Sequence, residues 1–395
     1  MPPENTRANL RRIAGITFLT FAARGLTIPF INLYLVSIGF SGTQIGILIT
    51  ISAFIQLIIP PALHALADRT GQHRRLYYGL LIGNAVASLG LVAGAANPLL
   101  LDGAYFLRDS SDGPGASLLS QLTITWLEQR KKTIYGRLRA WGSFGWAVTT
   151  FVSGRIAAIG GYPLLFLLTG AINVLLLPLV KVLPERTSER HEGKVVTHTR
   201  PFAFYILMAS LFLFAFGNNA ITAFSFIYFK QNLGASNDLI GIVSSISALS
   251  EIPSMIFIDW LLRRANIRTT LAIGMLGQAI LWVLYTLLVG PNFLIVLIAC
   301  RGTFYTFFNV SATLLVSRIS YPSNAATNQA IAQVTVPSLA FLVAGSINGW
   351  MFDNVGPHIL FKIAALMAAL AALLLMAARH TIAAQDNRMQ LLRQE

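Results

Sequence analysis

Six charged side chains fall at membrane depth inside long apolar runs, three of each sign: Arg24, Arg108 and Arg301 against Asp109, Asp112 and Glu251. Arg24 lies about 12 residues into its run, about 18 Å from either end at 1.5 Å per residue, which is beyond snorkelling reach. An arginine at a helix centre costs about 2.5–3.5 kcal/mol on insertion scales, so it should face other helices and have a partner. Two readings of Arg24 are open: a structural ion pair between spans, or an anchor for a carboxylate or hydroxyl of a solute. Glu251 is open between proton carrier and hydrogen-bonded structural acid. Arg108 and Asp112 are four apart and are expected to pair along one helix face, with Asp109 pointing elsewhere. They form either a polar entrance or a proton-linked pair. Arg301 and Asn309 share one side of their run, two turns apart. Equal numbers of buried acids and bases favour mutual pairing. The expected mechanism follows: protonating Asp109, Asp112 or Glu251 frees an arginine, which then takes or releases an anionic group.

Further polar side chains sit in apolar surroundings. Arg139 and Trp146 are seven apart, hence on one helix face, where by themselves they read as an anchor and a packing residue. Asn218 and Asn219 follow Gly217 and suit a gating break, a hydrogen-bonding wall or a helix-to-helix contact. Gln329 and Gln333 are open in the same way. Cys300 is the only cysteine, so an intrachain disulfide is excluded. Zinc spacing, a nucleophile with its base, and a phosphate loop are all missing from the sequence; Gly142-Ser143-Phe144-Gly145 reads as helix packing. No cofactor is expected and enzymatic chemistry is not.

The elements that position these residues follow from composition. Of 395 residues, 55% are apolar and 11% charged, with a mean hydropathy of +0.65, whereas soluble domains are about 25% charged. Spanning helices need about 20 apolar residues. Twelve are expected, near 13–37, 43–66, 76–95, 98–127, 134–160, 162–182, 203–230, 239–262, 269–290, 293–317, 325–352 and 358–379. Gly113-Pro114-Gly115 is expected to break or kink the fourth. Most of the 29 Lys and Arg fall in the segments on the side of the N-terminus. That asymmetry places both termini in the cytoplasm of a plasma (inner) membrane protein. The net charge of +14 is thus topological and speaks against nucleic-acid binding. The first run is too long for a signal peptide.

Shifting the sequence by 195 positions, the separation of Ile45 and Ile240, superimposes Ile45-Gly46-Ile47 on Ile240-Gly241-Ile242 and Ile51-Ser52-Ala53 on Ile246-Ser247-Ala248. Gly39 and Gly234 coincide as well. Duplicated halves are a transporter signature. The expected division is 1–183 and 201–395, six spans each, joined by a polar cytoplasmic linker at 184–200.

These residues resemble the major facilitator superfamily. Leu66-Ala67-Asp68-Arg69-Thr70-Gly71-Gln72-His73-Arg74-Arg75 is similar to its signature loop G-x-L-A-D-R-x-G-R-[RK], with His64 in place of the first glycine and one extra residue before the basic pair. The second-half counterpart, Trp260-Leu261-Leu262-Arg263-Arg264, lacks the acid. Tyr135–Trp146 resembles the start of helix 5 in the lactose permease-like branch, and Glu251-Ile252-Pro253 its helix 8. The resemblance implies an all-α membrane protein with twelve helices in two pseudo-symmetric halves. It implies Asp68, Arg69, Gly71, Arg263 and Arg264 as gating loops, and solute contacts at Arg139, Trp146 and Glu251. With Arg24, Asn218, Asn219, Arg301 and Asn309 these are the candidate substrate residues, and Asp109, Asp112 and Glu251 the candidate proton carriers. The expected activity is alternating-access transport of a small polar organic solute (glycoside, nucleoside or aromatic carboxylate), coupled to protons in symport. The three arginines tilt that expectation toward a carboxylate or polyhydroxyl solute. Efflux of drugs or metabolites by proton antiport is the alternative, an intramembrane enzyme or a non-transporting receptor a remote one. Protons, the solute and the lipid bilayer are the expected partners of a monomer.

Overall fold

The computed structural model describes residues 6–132, 134–185, 200–321 and 324–392. Among these the fold is all-α with no strand, because backbone polar groups in a bilayer must be satisfied within each segment. Of the linker expected at 184–200, residues 186–199 lie outside the described ones.

The first span is α1 (Thr6–Thr27) and α2 (Ile31–Ser37), separated where Pro29 lacks an N–H. α3 (Gly42–Thr70), α4 (His73–Ala93) and α5 (Pro98–Glu128) follow, then α6 (Tyr135–Leu179), α7 (Phe202–Gln231), α8 (Asn237–Arg264) and α9 (Ile267–Tyr285). The chain continues through α10 (Leu294–Ile319), α11 (Ala325–Ala330), a π-helical turn (Ile331–Thr335), α12 (Val336–Asn354), α13 (Pro357–Ala377) and α14 (Arg379–Leu392).

Among the described residues, ten segments are long and apolar enough to cross a membrane. One of them is two spans, since the 45-residue α6 folds back at Gly161, whose φ of 71° and ψ of 175° are not helical. α5, rich in Ser, Gly and charged residues, is not one of these segments, yet its 31 residues complete the expected twelve. The break expected in α5 is not found: the helix continues through Pro114. In a membrane helix the carbonyl that proline leaves unpaired can be satisfied by neighbouring groups, so proline need not end it.

The duplication extends further than the matched residues. Gly39 (φ 98°) pairs with Gly234 (φ 69°), and Gly161 (φ 71°) with Gly356 (φ 95°), each pair again separated by 195. A side chain at such a backbone costs about 1–2 kcal/mol, so both halves turn at matching glycines.

Two compact units emerge, and they exchange segments. The first takes the described residues within 1–39, 55–190 and 235–248, the second those within 40–54, 191–234 and 249–395. In the second unit, the opening turns of α3 lie against α12: Gly46 and Gly349 have no space for a Cβ because Gly345 and Gly42 backbone occupies it. In the first unit, the start of α8 meets α6 in the same way, Gly241 against Thr150 and Gly154 against Asn237. The shift of 195 converts one set of contacts into the other. Small residues permit this backbone approach, which is how membrane helices gain dispersion contacts.

Around these seams the first unit packs α1 on α6 and α4 on both α5 and α6, over a core including Ile16, Tyr77, Leu118, Trp126 and Leu176. The second packs α7 on α12 and α13, with α9 between α10 and α13. Large apolar side chains such as Phe54, Leu89, Phe151, Ile256 and Leu373 remain exposed. A soluble surface would not carry so many, whereas lipid solvates them.

Candidate functional site

In the first unit, α1 and α5 bring opposite charges together from 88 positions apart. Arg24 donates from Nε to Asp112 Oδ2 at 2.9 Å, with 24% and 15% of the two side chains exposed. Arg108, with 7% of the residue exposed, bonds instead to Asp109 Oδ1 through Nη1 at 2.9 Å. This reverses the expected pairing of Arg108 with Asp112. Spacing along one helix says which side chains can meet, but α1 presents a competing guanidinium that takes Asp112. Neighbouring i, i+1 groups do not share a face, yet a long arginine can curl back to reach the adjacent carboxylate.

The Arg24–Asp112 pair forms part of the wall of a small cavity of about 20 Å³, room for about one water. Thr20, Tyr77, Asn84, Ser111 and Asn173 supply further polar groups. Thr20 and Tyr77 hydroxyls are 3.1 Å apart, and Asn173 Nδ2 donates to Thr169 O at 2.8 Å. Asn84 and Asn173 were not singled out from the sequence, although an amide inside a span was the available signal. Two of the three arginines that tilted the expectation toward an anionic solute are thus neutralised within their own unit.

Arg139 stacks its guanidinium 4.2 Å from the centre of the Phe21 ring and lines a narrow crevice with Thr17, Phe21 and Thr123. Trp146, further along α6, is half-buried. Its carbonyl accepts from the Thr150 hydroxyl at 2.9 Å.

In the second unit, α7, α10 and the α11–α12 region enclose a larger cavity of about 270 Å³. Phe214, Tyr305, Phe308 and Phe341 contribute rings; Asn218, Asn309, Thr313, Gln329 and Gln333 contribute amides and a hydroxyl. Among the described residues, no Asp, Glu, Lys, Arg or His lines it. The glutamines are held in a ladder: Gln333 Nε2 donates to Gln329 Oε1 and to Thr313 Oγ1, both at 3.1 Å, and Gln329 Nε2 donates to Thr313 O at 2.6 Å. The π-helical turn lies here, as such turns often do at functional sites.

The other candidates of this unit lie outside that wall. Asn219, only 1% exposed, accepts from Asn348 Nδ2 at 2.9 Å. It ties α7 to α12 and is not among the residues lining the cavity, being turned about 100° away from Asn218 on the helix. Arg301 gives its carbonyl to Gln278 Nε2 at 2.8 Å, while its buried Nε has no partner among the described residues. Glu251 and Arg301 are both within electrostatic reach of Tyr305, which lines the cavity.

The signature-like loop closes the α3–α4 turn. Gly71 has a φ of 66° and its N–H reaches Ala67 O at 2.7 Å, which ends α3. Asp68 Oδ1 lies 2.9 Å from Nε2 of the buried His73. Arg69 is exposed. Arg74 pairs with Glu185 and donates to Leu183 O at 3.2 Å, fastening the loop to the chain beyond α6. Arg264 stacks on Trp260 at 4.4 Å; the side chain of Arg263 lies outside the described ones.

Known proteins of similar sequence and fold are transporters. The chain is 24% identical over 358 residues to multidrug resistance protein 2 of Bacillus subtilis (strain 168), covering 85% of this chain and 86% of that protein. It is 26% identical over 284 residues to the maltose permease of Geobacillus stearothermophilus, covering 68% of each. The structure of the nucleoside transporter NupG matches with a TM-score of 0.78 at 18% identity, over 93% of this chain and 98% of that one. A bacterial homologue of the lysosomal transporter Spinster matches with a TM-score of 0.69 at 13% identity, over 99% and 98%. Paired charges at membrane depth, duplicated six-span halves and a match of residues 10–364 to the MFS_1 like family agree: the chain belongs to that family and is an integral membrane transporter of small molecules, not an enzyme.

Proposed function

We propose that this protein is a proton-coupled secondary transporter that takes up a small polar organic solute by alternating access across the plasma (inner) membrane, with both termini cytoplasmic. The observation that carries this reading is the Arg24–Asp112 pair beside a polar cavity. Protonating Asp112 removes its attraction for Arg24. In low dielectric that changes the energy of the site by several kcal/mol, enough to bias a two-state equilibrium. Asp109 and Glu251 are secondary candidates for the same proton. The halves 1–183 and 201–395 are the moving parts of this proposal, joined through 184–200, in a protein acting as a monomer. Arg139, Trp146, Asn218 and Asn309 are assigned to solute contact and the Asp68–Gly71 and Arg263–Arg264 loops to gating.

The test is uptake of radiolabelled candidate solutes by reconstituted vesicles, acid outside, against the same vesicles without a pH gradient. Asp112→Asn should abolish gradient-driven accumulation and leave exchange of solute at equal concentrations within about threefold of wild type. Unchanged gradient-driven accumulation in this variant sinks the coupling assignment.

A second reading, efflux by proton antiport, is favoured by the relative named for multidrug resistance and by the apolar groove of Phe18, Leu138, Trp141 and Phe144. It predicts that the same acid-outside gradient expels a preloaded apolar dye rather than accumulating a polar solute.

A further inference from the structure

We infer that the cavity of the second unit takes an uncharged, flat heteroaromatic ring with an amide-like edge, such as a nucleobase or another lactam, and does not take a carboxylate or a bare polyol. The inference rests on the proposed transport function and names its substrate class.

The lining divides into two kinds of group. Phe214 and Phe308 stack with centroids 4.0 Å apart and planes at 26°, and Tyr305 and Phe341 add further ring surface. Aromatic side chains recognise flat rings by stacking, at about 1–3 kcal/mol per base in nucleic-acid sites, whatever the ring's identity. The polar groups are almost all amides. Each Asn or Gln side chain offers a donor and an acceptor side by side, the geometry that reads an N–H beside a ring nitrogen or carbonyl in a bidentate pair.

The internal hydrogen bonds determine which amide atoms face a ligand. Gln333 spends Nε2 on Gln329 and Thr313, leaving Oε1 as an acceptor. Gln329 Oε1 accepts from Gln333 and one of its two N–H groups goes to the Thr313 carbonyl, leaving the other N–H. The Asn218 and Asn309 side chains bond to no described residue, so both retain a donor and an acceptor. A ligand therefore meets two complete amides, one further N–H and one further acceptor. A carboxylate has only acceptors and would meet the Gln333 oxygen with no cation in the wall to offset it. Of the three arginines that favoured an anion, Arg24 and Arg108 are neutralised in the other unit, and Arg301 is not among the lining residues. A polyol could use the amides but would leave the ring surfaces without a partner.

The test is counterflow in reconstituted vesicles with four probes, uridine, adenosine, benzoate and glucose, at equal internal and external pH. Uridine or adenosine should exchange at least tenfold faster than benzoate and glucose. Asn309→Asp and Gln333→Glu keep side-chain volume but lose amide donors and add charge, and each should lower exchange of the preferred ring at least tenfold. Phe151→Leu, on an exposed face of α6, should leave it unchanged. Matching melting temperatures and monodisperse elution of the variants show that they fold. Faster exchange of benzoate or glucose overturns the inference and leaves transport standing, as does ring exchange that survives both isosteric substitutions. Exchange of none of the four by protein that elutes as folded overturns the transport reading and this inference with it.

Discussion

Asp112 accepts the Nε–H of Arg24 at 2.9 Å, although Arg108 lies one helical turn before it on the same helix. The pair joins α1 to α5, so its strength is tertiary, and removing one member leaves a partly buried charge. Arg24→Gln and Asp112→Asn should each cost about 2 kcal/mol, the low end for truncating one partner of a buried pair because Arg24 keeps some exposure. The double variant should recover most of that loss. Thermal melts in detergent across the four proteins measure it, and additive losses would show that the two side chains do not interact.

Asp353 joins α12 to the start of α3. Its carboxylate accepts from Gly42 N at 2.8 Å, Thr43 N at 2.7 Å and Thr43 Oγ1 at 2.7 Å. A negative charge on free N–H groups at a helix start is worth about 1–2 kcal/mol. In a Cys300→Ser background, Thr43→Cys should react with a water-soluble maleimide about tenfold faster when Asp353→Ala is added. Asp353→Asn should give an intermediate rate.

Space at the glycines of the α3–α12 seam is limited by backbone, which does not yield. Gly46→Ala and Gly349→Ala place a Cβ against backbone of the facing helix and should lower stability by about 1–3 kcal/mol, the usual cost of overpacking. Gly103, exposed in α5 with nothing within 4 Å of a Cβ, is the control. Gly103→Ala should raise stability by up to about 1 kcal/mol, since alanine restricts the unfolded chain and favours helix. Melting temperatures of the three variants decide between these outcomes.

Gly71 ends α3 at a φ of 66°. Gly71→Ala should cost about 1 kcal/mol and Gly71→Asn less, because asparagine tolerates left-handed backbone. A larger penalty for asparagine than for alanine would show that space around the side chain, not backbone strain, governs the position.

The positions of α1 to α13 were legible because a helix in hydrocarbon must be long and apolar, and that requirement acts on each segment alone. The turns at Gly39 and Gly234 were visible through the repeat. Their counterparts Gly161 and Gly356 fit the same shift but are flanked by dissimilar residues, so only their shared backbone conformation exposed them. Gly42-x3-Gly46 and Gly345-x3-Gly349 carry the small-residue spacing of a close helix pair, yet that spacing does not say which partner is approached.

Chain order and hydropathy by themselves determined a twelve-span membrane protein of duplicated halves holding expensive charges away from water. Only the tertiary structure decided that Asp112 belongs to Arg24, that Asn219 serves Asn348 while Asn218 faces a cavity, and that the larger cavity is lined by rings and amides with no charge among the described residues. The reason is physical. Hydrophobic length is a property of one segment, whereas pairing and cavity lining depend on how neighbouring helices are rotated against each other, and contacts far apart in sequence fix that rotation.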